Sequence, residues 1–254
     1  MDPELKQHAR TALGQLAKRE AELEQQHPGC WDQLERLRTA PGDLTWPEWC
    51  LLPMAAPATL IQSTGIADPR SIPLLSALHA WRFTRSVYLF EPTLANVLLQ
   101  KVPEAIRVDD LAGLPEWCVC LPGDPETGLG LVLAHLEHDV NTSRPELRLL
   151  VQTGERDFLP IPVYLDRDGT TQALADARAT NMAPLGARGV NVRGADPDAT
   201  AAMMAERVDG WISVLLYLAS GEADLVHADR PGVRPVKPRR PKQTTDVWLV
   251  GYQQ

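Results

Sequence analysis

The stretch that decides the fold runs from Trp117 to Leu165: WCVCLPGDPETGLGLVLAHLEHDVNTSRPELRLLVQTGERDFLPIPVYL. Four apolar, β-rich runs recur in it: Trp117 to Leu121, Leu129 to Leu136, Leu147 to Thr153 and Phe158 to Leu165. Between them lie PGDPETG, HDVNTSRP and GERD, all of turn chemistry. The runs start 11–18 residues apart. That leaves no room for the crossover helices a parallel sheet needs, so the spacing predicts an antiparallel meander.

Outward from this centre the period changes. Toward the N-terminus, Leu5, Ala9, Ala12, Leu13, Leu16 and Leu23 recur at helical spacing, which predicts a helix over 3–26. Pro28-Gly29 breaks it, and a short helix from Cys30 to about Arg38 is expected before Pro41-Gly42. Trp46 to Pro57 holds three prolines and reads as irregular chain draped over a core. Asp68-Pro69 reads as a helix start, and Leu74, Leu75, Leu78, Trp81, Arg82, Arg85, Tyr88 and Leu89 predict a helix over 70–89. Glu91-Pro92 opens another. On the C-terminal side a helix is expected from Thr171 to about Thr180, then a Gly-rich irregular stretch. A long helix follows from Asp198 to about Ser220, apolar almost all round and therefore central. Thr245 to Tyr252 predicts a last strand. The sequence thus predicts an α+β fold, with N-terminal helices and a long central helix packed on an antiparallel β-sheet. Its composition divides it into an N-terminal helical and Pro/Trp-rich segment (1–67), an α+β core (68–228) and a basic Pro/Arg strip with a terminal strand (229–254).

The 254 residues carry a net charge of −8, which excludes a uniformly basic nucleic-acid coat. The charge is segregated. Residues 1–102 hold 10 basic and 11 acidic groups, 103–228 hold 9 and 20, and 229–254 hold 6 and 2. An acidic body thus meets a cationic C-terminal strip. Met1 to Gln25 has no apolar core of a signal peptide and no run reaches 18 apolar residues, so a cytoplasmic protein is expected.

No familiar catalytic signature is present. The chain lacks G-x-x-x-x-G-K-[ST], a strand-to-helix G-x-G-x-x-G and G-x-S-x-G. Cys30, Cys50, Cys118 and Cys120 form no C-x-x-C pair and read as buried reduced thiols, although Cys118 and Cys120 on one strand face could supply half a metal site. In His135-Leu136-Glu137-His138-Asp139 a strand puts His135 and Glu137 on one face and His138 on the other, which spoils chelation. Asp166-Arg167-Asp168-Gly169 lacks the glycine and glutamate of a calcium loop. No catalytic residue, metal or cofactor is expected.

Two elements remain as binding candidates. Arg82 and Arg85, beside Trp81 and Tyr88, are guanidiniums on an apolar stripe. They must find internal carboxylates or a bound acidic or backbone group. The strip RPGVRPVKPRRPK (230–242) holds four prolines and six cations, Arg230, Arg234, Lys237, Arg239, Arg240 and Lys242. It reads as extended and solvated, either a plain linker or a contact for phosphates of RNA or the ribosome surface.

The order of several short motifs resembles one protein family. Pro53-Met54, LSALHAWRFT (Leu75 to Thr84), LPEWCV (Leu114 to Val119), Pro160-Ile161-Pro162, LLYLASGEADL (Leu215 to Leu225) and Arg240-Pro241-Lys242 follow one another as in the type V-A anti-CRISPR family of prophages and plasmids. The likeness is to the branch that acts on production of the CRISPR effector nuclease. It spans roughly residues 31–252. It implies a non-catalytic protein that recognises a nascent peptide near the N-terminus of the effector, with loss of the effector's mRNA. Trp81, Arg82, Thr84, Trp117 and Cys118 match the family pattern. The expected peptide contacts are Trp81, Arg82, Arg85 and Trp117, with the cations of the strip on the ribosome or mRNA side. Two rival classes stand beside this one. One is a mobile-element RNA-binding regulator with an unrelated target. The other is a metal-dependent nuclease using His135 or Asp166 and Asp168.

Overall fold

The computed structural model describes residues 2–40, 45–63, 71–103, 106–123, 130–154, 157–165 and 197–252, with the backbone alone for 197–206. Its elements, in chain order, are α1 (Pro3–Gln26), α2 (Cys30–Thr39), α3 (Ala55–Ser63), α4 (Ser71–Trp81), β1 (Ser86–Phe90), α5 (Pro92–Leu99), α6 (Val108–Ala112), β2 (Cys118–Leu121), β3 (Val132–Asp139), β4 (Arg144–Gln152), β5 (Phe158–Tyr164), α7 (Pro197–Ala219), β6 (Leu225–His227) and β7 (Asp246–Val250). The class is α+β, as expected. The predicted helix over 171–180 and the loop 166–169 lie outside the described residues.

The meander forms as its spacing requires: β2-β3-β4-β5, each pair antiparallel. The β3–β4 turn is tighter than the eight-residue turn sequence suggested. Asp139 builds it with its own carboxylate, accepting from Asn141 N at 2.9 Å and from the Thr142 hydroxyl at 2.6 Å. The edge strand β5 carries Pro160 and Pro162 without losing ladder bonds. Thr153 N donates to Asp157 O at 3.0 Å and Leu165 N to Pro145 O at 3.2 Å, so the odd-numbered residues face β4. Both prolines therefore point their missing N–H toward the free edge, which they also close to further strands.

Side chains alternate across this sheet into two cores. Val119, Leu121, Val132, Ala134, Leu147, Leu149 and Val151 pack with α5, α6 and the apolar face of α7. Cys118, Cys120, Leu133 and Leu150 pack with α1, α2, α3 and α4. Helices thus lie on both faces, which is how a sheet apolar on two sides is buried.

Three expectations are corrected. The predicted helix over 70–89 ends at Trp81, and Ser86–Phe90 is a strand. Arg85 N donates to Trp81 O at 2.7 Å, and Arg85 itself takes φ 49°, which turns the chain out of the helix. The strand was invisible to periodicity because it is buried on both sides: Val87 and Leu89 enter one core and Tyr88 the other. It pairs in parallel with β7, Ser86 opposite Asp246, and β7 pairs antiparallel with the short β6, giving a second sheet of order β1-β7-β6. Helix α3 begins at Ala55, inside the stretch expected to be irregular, with Pro57 in its first turn where no N–H is needed. The third correction, to the basic strip, belongs to the site.

Candidate functional site

The two binding candidates read separately in the sequence meet in the fold. Lys242 N donates to Arg82 O at 3.0 Å and Asp246 N to Arg85 O at 3.0 Å, so the turn after α4 lies against the end of the strip. At the other side of the strip, Arg38 of α2 donates through Nη2 to Arg239 O at 3.1 Å. Arg38, Arg82, Arg85, Arg239, Arg240 and Lys242 therefore share one region, drawn from three parts of the chain.

Within it each arginine of the body sits over an aromatic ring. Arg82 lies 4.7 Å from the Trp31 ring centroid, Arg85 5.6 Å from Trp81 and Arg38 5.1 Å from Phe83. Glu20 of α1 serves both Arg82 Nε (2.8 Å) and Arg85 Nη2 (2.5 Å), while Glu35 holds Arg38. One carboxylate between two half-buried guanidiniums leaves the pair with excess positive charge beside an otherwise acidic body. Both guanidiniums thus have an internal carboxylate partner, one of the two alternatives the sequence left open. Trp81 is 0% exposed and its Nε1 donates to Ser86 O at 2.9 Å. It is a core residue that supports Arg85 from beneath, and it does not line the surface as expected.

The strip is not free in solvent. Its two ends close on a single buried carboxylate: Arg230 Nη2 lies 2.5 Å from Asp246 Oδ1, and Lys242 Nζ lies 2.7 Å from Oδ2. His227 completes the clasp. Its Nδ1 accepts from Asp229 N and Arg230 N, and its Nε2 lies 3.2 Å from Arg230 Nε and 3.3 Å from Asp246 Oδ1. Burial opposes ionisation of Asp246, but these partners outweigh it and hold its pKa below the usual range. At mid-strip, Lys237 Nζ donates to Ala112 O at 2.9 Å and stands 5.3 Å from the Trp117 ring, while Trp117 Nε1 donates to Pro238 O at 2.9 Å. Arg234 adds a longer contact to Leu225 O at 3.5 Å. Arg230, Arg234, Arg239 and Arg240 stay exposed, and Lys237 and Lys242 are half-buried. Proline rigidity was legible in the sequence. The clasp was not, because Asp246 is an ordinary acid until the fold puts it under both ends of the strip.

Behind Trp117 lies a cavity of about 10 Å³, room for one water, lined by Ser76, His79, His135 and Leu136 among others. Both ring nitrogens of His79 lack a partner among the described residues. Burial, with Arg82 and Arg38 nearby, drives its pKa down to about 3. His135 Nε2 donates to Glu137 Oε1 at 2.9 Å on one strand face, as the strand reading required. Glu137 also accepts from the Ser76 hydroxyl at 2.5 Å and from Met54 N at 3.0 Å. Burial alone would raise its pKa, but these bonds and Arg148 hold it low. Its acceptors are therefore committed to structure. Deeper still, Glu116 accepts from the Ser86 hydroxyl and from Trp248 Nε1 (3.2 Å), and burial pushes its pKa up to about 7. All four cysteines are buried and free. Among the described residues no group of three His, Cys, Asp or Glu side chains is placed to hold a metal. Asp166 and Asp168 lie outside those residues. No described helix is long and apolar enough to cross a membrane.

The fold is one already known from a solved structure. The crystal structure of AcrVA2 aligns with a TM-score of 0.61 at 14% identity, covering 94% of this chain and 84% of that one. No curated protein matches the chain. The model of the AcrVA2-like family, described as the anti-CRISPR type V subtype A2 family, matches residues 88–253, and the chain belongs to that family. The matched segment begins in β1 and takes in both sheets, α7, Trp117 and the whole strip.

Proposed function

We propose that this protein inhibits type V-A CRISPR defence by binding a nascent peptide near the N-terminus of the effector nuclease, lowering effector expression through loss of its mRNA. It acts in the cytoplasm by binding and needs no catalytic group, metal or cofactor of its own. Family membership supports the target class. The observation that carries the binding mode is the meeting of Trp117, the Arg82–Arg85 turn and the basic strip on one surface. Aromatic faces and guanidiniums are the groups that anchor a peptide main chain and its side chains. The exposed guanidiniums of Arg234, Arg239 and Arg240 supply a contact for the phosphates of mRNA or ribosomal RNA around the emerging peptide.

The test is a reporter fused to the N-terminal coding segment of the effector nuclease, with its transcript measured in the presence and absence of this protein. The expected result is a fall in transcript that requires the fused segment. An unchanged transcript together with no affinity for the encoded peptide would overturn the proposal. A second reading, an RNA-binding regulator with an unrelated target, rests on the same exposed arginines. It predicts salt-dependent RNA binding that is lost on neutralising residues 230–242, with no peptide affinity.

A further inference from the structure

We propose that Arg234 to Pro238 of the strip occupies, within the same chain, a peptide-binding shelf formed by Trp117 and the Ala112 carbonyl. We infer that the ligand of this shelf is an extended, proline-containing segment bearing a lysine or arginine. The inference rests on the reading of Trp117 as a peptide contact and adds the chemistry of the ligand and its competitor.

The strip touches the shelf as a bound peptide would. The indole N–H of Trp117 donates to a main-chain carbonyl, that of Pro238. The Lys237 ammonium lies over the indole ring and donates to Ala112 O. Each contact is to a backbone group, a π face or a terminal charge, so any chain with a cation beside an exposed carbonyl can make it. The strip contributes little that is particular to itself. Its valines Val233 and Val236 are 38% and 55% exposed, so their burial adds little to its hold. Residues 233–238 join no helix or strand. The prolines hold the segment extended before it docks, which removes most of the ordering cost of binding. Lys237 meets no carboxylate among the described residues, and partial burial lowers its pKa.

The strong ties lie elsewhere. Arg230 and Lys242 grip Asp246 at the two ends, leaving the middle to lift while the ends stay fixed. Tethering at both ends keeps the middle at high effective concentration over the shelf. A partner must therefore out-compete it, and weak cationic peptides are refused.

The experiment uses the full chain and a fluorescent synthetic peptide with the sequence of residues 230–242, followed by anisotropy. The Lys237→Ala protein, whose clasp on Asp246 is intact, is expected to bind this peptide at least tenfold more tightly than the unaltered protein. Adding Trp117→Phe, which keeps a ring but removes the indole donor, should weaken binding severalfold, and adding Trp117→Ala should abolish it. The peptide carrying Lys237→Ala should not bind. Equal binding by the unaltered and Lys237→Ala proteins, or binding of a scrambled peptide that ignores the Trp117 changes, overturns the proposal. A synthetic N-terminal peptide of the effector nuclease serves as competitor. Displacement by it supports both this inference and the proposed function. Binding of the strip peptide without such displacement supports the shelf and counts against the effector peptide as its ligand.

Discussion

Gly210 sits in the middle of α7, where a glycine costs about 1 kcal/mol relative to alanine. In an exposed helix Gly→Ala is therefore stabilising, but here the packing reverses the sign. A Cβ added at Gly210 would lie 2.5 Å from Leu99 O, 2.9 Å from its Cα and 3.1 Å from its carbonyl carbon. All three are backbone atoms at the end of α5, so no rotamer change relieves them. To reach the 3.4 Å of ordinary contact with that oxygen, the helices must separate by about 0.9 Å. That opens the core in which Val208, Trp211, Ile212 and Leu215 pack against Leu98 and the sheet. Overpacking of this kind costs about 3 kcal/mol when neither partner can yield. After the gain in helix propensity, Gly210→Ala should lose about 2 kcal/mol. With a urea m-value of about 2 kcal/mol/M, the unfolding midpoint falls by roughly 1 M. Gly14 is the internal control: it is exposed in α1, and a Cβ there meets nothing within 4 Å. Gly14→Ala should raise stability by about 0.5–1 kcal/mol. If Gly210→Ala stabilises the protein as Gly14→Ala does, the close approach of α5 and α7 is refuted.

The clasp predicts that Asp246→Asn lowers stability by about 2 kcal/mol in urea unfolding, since charge-assisted bonds from Arg230 and Lys242 are weakened together. The same change should speed amide hydrogen exchange across residues 230–242, and an unaltered exchange pattern would remove the clasp from the account. The depressed pKa of Asp246 means that its contribution is present above the unfolded carboxylate value and lost as pH falls through the folded one. Glu146 works in the opposite sense. Burial raises its pKa to about 7, so the native state binds the extra proton and stability declines as pH rises from the ordinary carboxylate range to 7. The urea midpoint of Glu146→Gln relative to the unaltered protein should therefore climb between pH 5 and pH 8, and a flat difference would contradict the burial argument. Glu20→Gln leaves Arg82 and Arg85 facing each other with no carboxylate between them. It should cost about 1–2 kcal/mol and tighten binding of an anionic probe such as oligo(U) RNA, measured by anisotropy at two salt concentrations.

The parts that could be read in advance share one property: their signal lies within a few residues. The four strands of the meander, the helices over 3–26 and from 197, and the helix opening at Glu91-Pro92 each carry their own period or cap. Glu91 caps α5 by accepting from Leu94 N at 2.8 Å, as the dipeptide with proline suggested. The family resemblance was likewise legible, because ordered motifs survive when each is too short to stand alone.

The sequence by itself determined the α+β class, the antiparallel meander and the segregation of charge, since chain period and composition are local. Only the tertiary structure decided that Ser86–Phe90 is a strand, because a segment buried on both faces has no alternation to read. Only it decided the partners of the cations. A guanidinium on a stripe demands a counter-ion, yet nothing near Arg82 and Arg85 in the chain names Glu20 of α1. Six cations among four prolines suggest a solvated arm until the parallel pairing of β7 with β1 carries Asp246 beneath both ends of it. The physical reason is that periodicity is a property of consecutive residues, whereas the energy of a buried charge depends on which distant group packing brings within reach.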